Sequence, residues 1–122
     1  YGYSQNNLIY KFIQMSKNNI PIKINGDGSQ IRDFIFIDDV ISAINKAVIS
    51  KNNKNLILNL GSGQKILMRK VVKAITNNFI YAKNINEPAK LYGSIVEIKN
   101  ELKWRPRISF KGGINKILIQ NK

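Results

Sequence analysis

An α/β fold is what this chain predicts, and three features carry the prediction. Apolar residues recur at helical spacing around residues 8–15 and 40–48. Short β-branched and apolar runs at residues 20–24, 31–37 and 56–60 alternate with those helical stretches, and glycine-rich turns punctuate them. With 122 residues, 43% hydrophobic composition and no linker or internal repeat, the chain reads as a single segment, 1–122, with a real core.

In chain order, Leu8, Ile9, Phe12, Ile13 and Met15 make one buried stripe, so a first helix is expected to end before Asn18-Asn19. Residues 20–24 and 31–37 flank Asn25-Gly26-Asp27-Gly28-Ser29, whose glycines allow the positive φ of a tight reversal, and this predicts a β-hairpin. Asp38-Asp39 then stands before a second helical face, Val40, Ile41, Ala43, Ile44, Ala47 and Val48, and reads as its N-terminal cap. Residues 56–60, bounded by a polar loop and Gly61-Ser62-Gly63, predict a buried strand. A third helix follows with Leu67, Val71, Val72, Ala74, Ile75 and Phe79 on one side. Residues 79–85 suggest another strand, Ile95 to Leu102 a short helix stopped near Pro106, and Ser109 the cap of a last helix weakened by Gly112 and Gly113, about 1 kcal/mol each.

Composition excludes several chemistries. With no cysteine and no histidine, thiolate and imidazole metal centres and the familiar nucleophilic triads cannot be built, so no metal site is expected. No apolar run approaches the roughly 20 residues of a membrane span and no signal peptide opens the chain, so a cytoplasmic setting without membrane contact is expected. The chain opens at Tyr1 without a methionine, and a fragment is expected. Net charge +13 raises nucleic-acid binding, but sixteen of the twenty cations are lysine, set among 22 isoleucines and 17 asparagines, and no block of five like charges occurs. A solvated surface outweighs a nucleic-acid face.

Gly61-Ser62-Gly63 and Gly26-Asp27-Gly28 both lack the third glycine of a dinucleotide loop, and no G-x-x-x-x-G-K-[ST] occurs, so both read as turns. Arg32 is the side chain of most interest. Flanked by Ile31 and Phe34, its charge needs a partner, which is either a carboxylate of this chain, Asp33 or Asp39 being the nearby candidates, or an anionic ligand.

The run PIKINGDGSQIRDFIFIDDV, residues 21–40, resembles the substrate-domain signature of extended short-chain dehydrogenases that act on nucleotide sugars, the NAD-dependent epimerase/dehydratase family. Tyr1-Gly2 is similar to that family's Tyr-Gly-Pro, residues 59–63 to its Asn-Ile-Gly-Ser-Gly, and residues 97–106 to its closing Leu-Gly-Trp-x-Pro, in the family's order. The resemblance implies the C-terminal segment of an extended Rossmann-type enzyme: a hairpin and helices forming a substrate lobe, with residues 56–60 joining a parallel sheet supplied by an absent N-terminal half. It implies that Arg32 holds the diphosphate of a UDP- or dTDP-sugar, as a permanently charged fork can. It also implies that Asn7, Leu8 and Asn59 lie near the substrate, and that Lys83 replaces a second phosphate-binding arginine as a point charge. NAD is the cofactor implied, bound mainly by the absent half. Tyr1 is the one position here that the resemblance offers to it.

Tyr3, Lys103 and Ser94 depart from the family's proline, glycine and aspartate, and the chain holds no Tyr-x-x-x-Lys, so no catalytic residue is expected in it. The reading is thus the nucleotide-sugar-binding portion of an NAD-dependent epimerase or dehydratase, similar to UDP-glucose 4-epimerase, whose parent dimerises through the absent half. A basic nucleic-acid-binding module and a non-catalytic sugar-nucleotide-binding remnant are the alternatives.

Overall fold

A computed structural model describes residues 1–51, 55–83 and 86–120. Its elements run α1 (Leu8–Lys17), β1 (Ile22–Asn25), β2 (Ile31–Arg32), α2 (Ile37–Ile49), β3 (Ile66–Leu67), α3 (Met68–Lys73), β4 (Phe79–Ala82), β5 (Lys90–Leu91), α4 (Val96–Glu101) and α5 (Phe110–Gln120). Helices and strands are interspersed, with α1 and α2 lying where the hydrophobic periods predict helices. α1 starts where Asn7 Oδ1 accepts from the Tyr10 backbone N–H at 2.8 Å, and buries Ile9, Phe12 and Ile13. Ser109 Oγ accepts from Gly112 N–H at 3.1 Å in the first turn of α5.

The hairpin does not form. The reversal is there, with Gly26 and Gly28 at φ 57° and 71°, but its arms enter different sheets. β1 pairs in parallel with β4, Ile22 opposite Phe79 and Asn25 opposite Ala82. β2 lies between β3, antiparallel, and β5, parallel. Two features divert the arms. The Asn25 carbonyl is consumed inside the turn, by Gly28 N–H and by Gln30 Nε2 at 2.8 Å, and Gly26 N–H donates to Ala82 O in β4. Parallel pairing of β1 with β4 needs a long connection, and the intervening chain with α3 supplies it.

Three further expectations are corrected. Residues 56–60 form no strand and are largely exposed, Ile57 at 98%, because no described strand lies alongside to pair with them. The third helix stops at Lys73: Leu67 belongs to β3 and Phe79 to β4. The cap of α2 is Phe36, with no side-chain bond, so Asp38 and Asp39 do not cap it. Asp39 instead turns inward, 3% exposed, and its two oxygens accept from Arg107 and Ile108 N–H at 2.9 Å each, while Asp38 pairs with Lys116 Nζ at 2.7 Å.

The main core joins Ile9, Phe12 and Ile13 of α1, Ile22 and Ile24 of β1, Val71 and Val72 of α3, and Phe110, Ile114 and Ile117 of α5 around Phe36. Gly113, which local propensity would count against α5, permits this packing: a Cβ there would lie 2.3 Å from the Tyr1 hydroxyl and 2.7 Å from Phe36. A smaller cluster holds Ala43, Ile95, Ile98 and Trp104, the indole N–H donating to Ser42 Oγ at 2.7 Å. No helix among the described residues is long and apolar enough to cross a membrane.

Candidate functional site

Arg32 ends β2, and the ladder on either side of that strand leaves its side chain between two clefts, both of which it lines. One, about 250 Å³, is bordered by Asp33, Asn59, Leu60, Leu91, Tyr92 and Ile95. The other, about 280 Å³, is bordered by Leu8, Lys23, Gln30, Phe34, Met68 and Glu87. Lys65 Nζ stands 4.1 Å from the Tyr92 ring centroid, a cation over an aromatic face beside the first cleft.

The guanidinium is largely enclosed, its side chain 16% exposed, and its partner is neither Asp33 nor Asp39. Nη2 pairs with Glu87 Oε2 at 2.9 Å, and Nη1 donates to the carbonyls of Ile31 at 2.9 Å and Pro88 at 2.8 Å. Those three bonds engage three of the five N–H groups a guanidinium carries, and the other two have no acceptor among the described residues. Glu87 is held in turn by Gln30 Nε2 at 3.1 Å and Asn25 Nδ2 at 3.4 Å.

Asp33 points the other way and accepts from Ser62 N–H, Ser62 Oγ–H and Gly63 N–H, which closes the Gly61-Ser62-Gly63 turn. The amides of this turn are thereby spent on a carboxylate, so this glycine pair is a turn and no phosphate loop. Asp39 is committed to the 107–108 backbone.

The residues expected at the substrate are placed unevenly. Asn59 lines the first cleft, its side chain packed against Gly93, and Leu8 lines the second. Asn7 lines neither: its amide caps α1 and donates to Gly2 O at 3.2 Å. Lys83 is exposed just past β4 and lines neither cleft, while Lys23 and Lys65 are the lysines that stand at them. Tyr1 lies in the core, its hydroxyl donating to Phe110 O at 2.7 Å and its ring edge-on to Phe36. Burial, with Asp39 nearby, raises its phenol well above the usual range. Gln30, Glu87 and Tyr92 were not singled out by the sequence. The one signal for Glu87 is that no other carboxylate lies between Asp39 and Glu97.

A third and larger groove, about 890 Å³, shares no lining residue with these two; Lys46, Lys99, Lys103, Arg105 and Arg107 border it beside Trp104.

A model of the NAD-dependent epimerase/dehydratase family matches residues 1–61. The chain is 30% identical over 114 residues to dTDP-4-dehydro-6-deoxyglucose reductase of Escherichia coli, covering 88% of this chain and 36% of that protein. It is 29% identical over 122 residues to UDP-glucuronate 4-epimerase of Thermodesulfobacterium geofontis, covering 93% and 37%. In fold it is similar to UDP-glucuronic acid 4-epimerase of Bacillus cereus, solved with UDP-glucuronic acid and NAD, at TM-score 0.87 and 23% identity over 100% of this chain and 43% of that one. The chain therefore spans about a third of the length of the curated relatives it matches.

Proposed function

The chain belongs to the NAD-dependent epimerase/dehydratase family, and from that premise we propose that it forms the nucleotide-sugar-binding portion of a longer NAD-dependent epimerase or dehydratase, similar to UDP-glucose 4-epimerase. In this reading Arg32 holds the diphosphate. The observation that carries it is the place of Arg32 in the wall shared by two clefts, with Asn59 in one and Leu8 in the other. A diphosphate joins two bulky groups, and a fixed guanidinium between two cavities with two N–H groups to spare matches that shape.

Among the described residues, the amides of the Gly61-Ser62-Gly63 turn and the Tyr1 hydroxyl already have partners within the chain, Asp33 for Ser62 and Gly63 N–H and Phe110 O for the hydroxyl. NAD, whose part is to take and return a hydride, is accordingly assigned mainly to the rest of the parent, as are the catalytic residues and the contacts of a homodimer. The cytoplasm is the setting that goes with this assignment.

Calorimetry on the full-length parent with UDP or dTDP, wild type against Arg32→Ala, tests the role. Loss of a charge-assisted contact should cost roughly 1.5–3 kcal/mol, and unchanged affinity would remove Arg32 from the site.

The groove beside Trp104, where five cations outnumber Asp38 and Asp39, favours a second reading, a basic nucleic-acid-binding module. That reading requires affinity for generic nucleic acid that falls steeply with salt, and filter binding at two salt concentrations separates the two.

A further inference from the structure

We propose that Glu87 is a positioning residue: it sets the guanidinium of Arg32 for the diphosphate, and Gln30 and Asn25 hold it for that task. The inference rests on the diphosphate role of Arg32 and goes beyond it by naming what fixes the arginine.

The geometry of the network argues for a holder over a competitor. Glu87 receives donors from three residues of the 25–32 segment: Gln30 Nε2 and Asn25 Nδ2 on Oε1, and Arg32 Nη2 on Oε2. Its side chain is 28% exposed, so it is not a loose surface carboxylate that swings away at small cost. The two carbonyls on Nη1 and the carboxylate on Nη2 then restrain the guanidinium through three of its N–H groups.

The fold accepts a defect to keep this arrangement. Gln30 is 7% exposed, and its buried Oε1 has no hydrogen-bond partner among the described residues. Its amide cannot be reversed to relieve this, because both groups facing Nε2, Asn25 O and Glu87 Oε1, are acceptors. A buried acceptor left unpaired is costly and calls for an explanation. Here the orphaned oxygen is what it takes to aim the NH₂ at Glu87. A carboxylate at this point also compensates the enclosed guanidinium before ligand arrives, without using the two N–H groups a phosphate needs.

The test is a double-mutant cycle on the full-length parent, titrated with UDP by calorimetry, with Arg32→Ala, Glu87→Ala and the pair, alongside Glu87→Gln. Glu87→Ala should weaken UDP by about tenfold. Glu87→Gln keeps an acceptor for Nη2 but turns an NH₂ toward the donors Gln30 Nε2 and Asn25 Nδ2, so it should recover part of that loss and not all of it. The pair should bind no more weakly than Arg32→Ala alone, since a residue acting through Arg32 has nothing left to position. A purely structural role would give additive losses and no rescue, and overturns the proposal. So does unchanged or tighter binding in Glu87→Ala while Arg32→Ala is weakened. If Glu87→Ala does not fold, Glu87→Asp, which keeps the charge but falls one methylene short, takes its place; it should weaken UDP severalfold, and wild-type affinity overturns the proposal. Unchanged affinity in Arg32→Ala itself is a separate outcome, in which the diphosphate reading falls and this inference with it.

Discussion

The carboxylate of Asp39 and the backbone N–H of Ile108 meet at 2.9 Å across 69 residues of sequence. The second oxygen of the same side chain takes Arg107 N–H at the same distance, so one buried acid ties the first turn of α2 to the segment that leads into α5. Two buried charge-assisted bonds to backbone donors are at stake. Asp39→Ala leaves both donors without a partner and should destabilise the parent by about 3 kcal/mol, at the upper end of single-bond losses. Asp39→Asn, which supplies only one acceptor oxygen, should fall between. Urea denaturation of the three proteins checks the order, and an Asp39→Ala midpoint equal to wild type would show that the bond pair contributes nothing.

Lys103 carries φ +48°, the left-handed region that side chains with a Cβ enter at a cost of about 1–2 kcal/mol. It is also the position where the family resemblance expects glycine, just before Trp104, whose indole is fixed in the second core cluster. Glycine adopts this conformation freely but makes the unfolded chain more flexible, which returns part of the gain. Lys103→Gly should therefore stabilise the parent by about 0.5–1 kcal/mol. Lys103→Ala, which keeps the Cβ, should not. A melting temperature that rises equally in both variants would assign the effect to lost charge and not to backbone conformation.

What was legible in the sequence divides along the range of the interaction. The apolar period of residues 8–15 gave α1, and Ser109 gave the start of α5, because both signals lie within a turn of the structure they specify. The reversal at Gly26 and Gly28 was equally local and equally readable. Its failure as a hairpin was not, since the chemistry of a turn says where the chain bends and nothing about which strand it then meets. β1 finds its partner at Phe79–Ala82. Arg32 stood out because a charge among Ile31 and Phe34 needs compensation, yet the compensating Glu87 is 55 residues away and no local pattern points to it. Asp38 and Asp39 failed in the opposite way: their place before a helix suggested a nearby role, and tertiary contacts claimed both.

The apolar face of α2 gives the last prediction. Ile41, Ile44, Val48 and Ile49 are exposed at 51%, 54%, 78% and 75%, and Ile57 at 98%. The α2 residues sit on a helix whose other side is packed by Ala43 and Phe36, so they are a surplus the core does not use. Contiguous apolar surface of this kind marks a covered interface or an aggregation liability. If the absent half of the parent covers it, the 122-residue chain expressed alone should be marginal, with a broad low-temperature transition, binding of a hydrophobic dye and self-association. Val48→Lys should then act with opposite sign in the two settings, reducing aggregation of the isolated chain while destabilising the parent, where burying an unpaired ammonium costs several kcal/mol. Thermal melts and light scattering on both proteins, with and without the substitution, provide the comparison. A cooperative, high-temperature melt of the monomeric isolated chain would show that these residues need no cover, and a parent indifferent to Val48→Lys would show that they receive none.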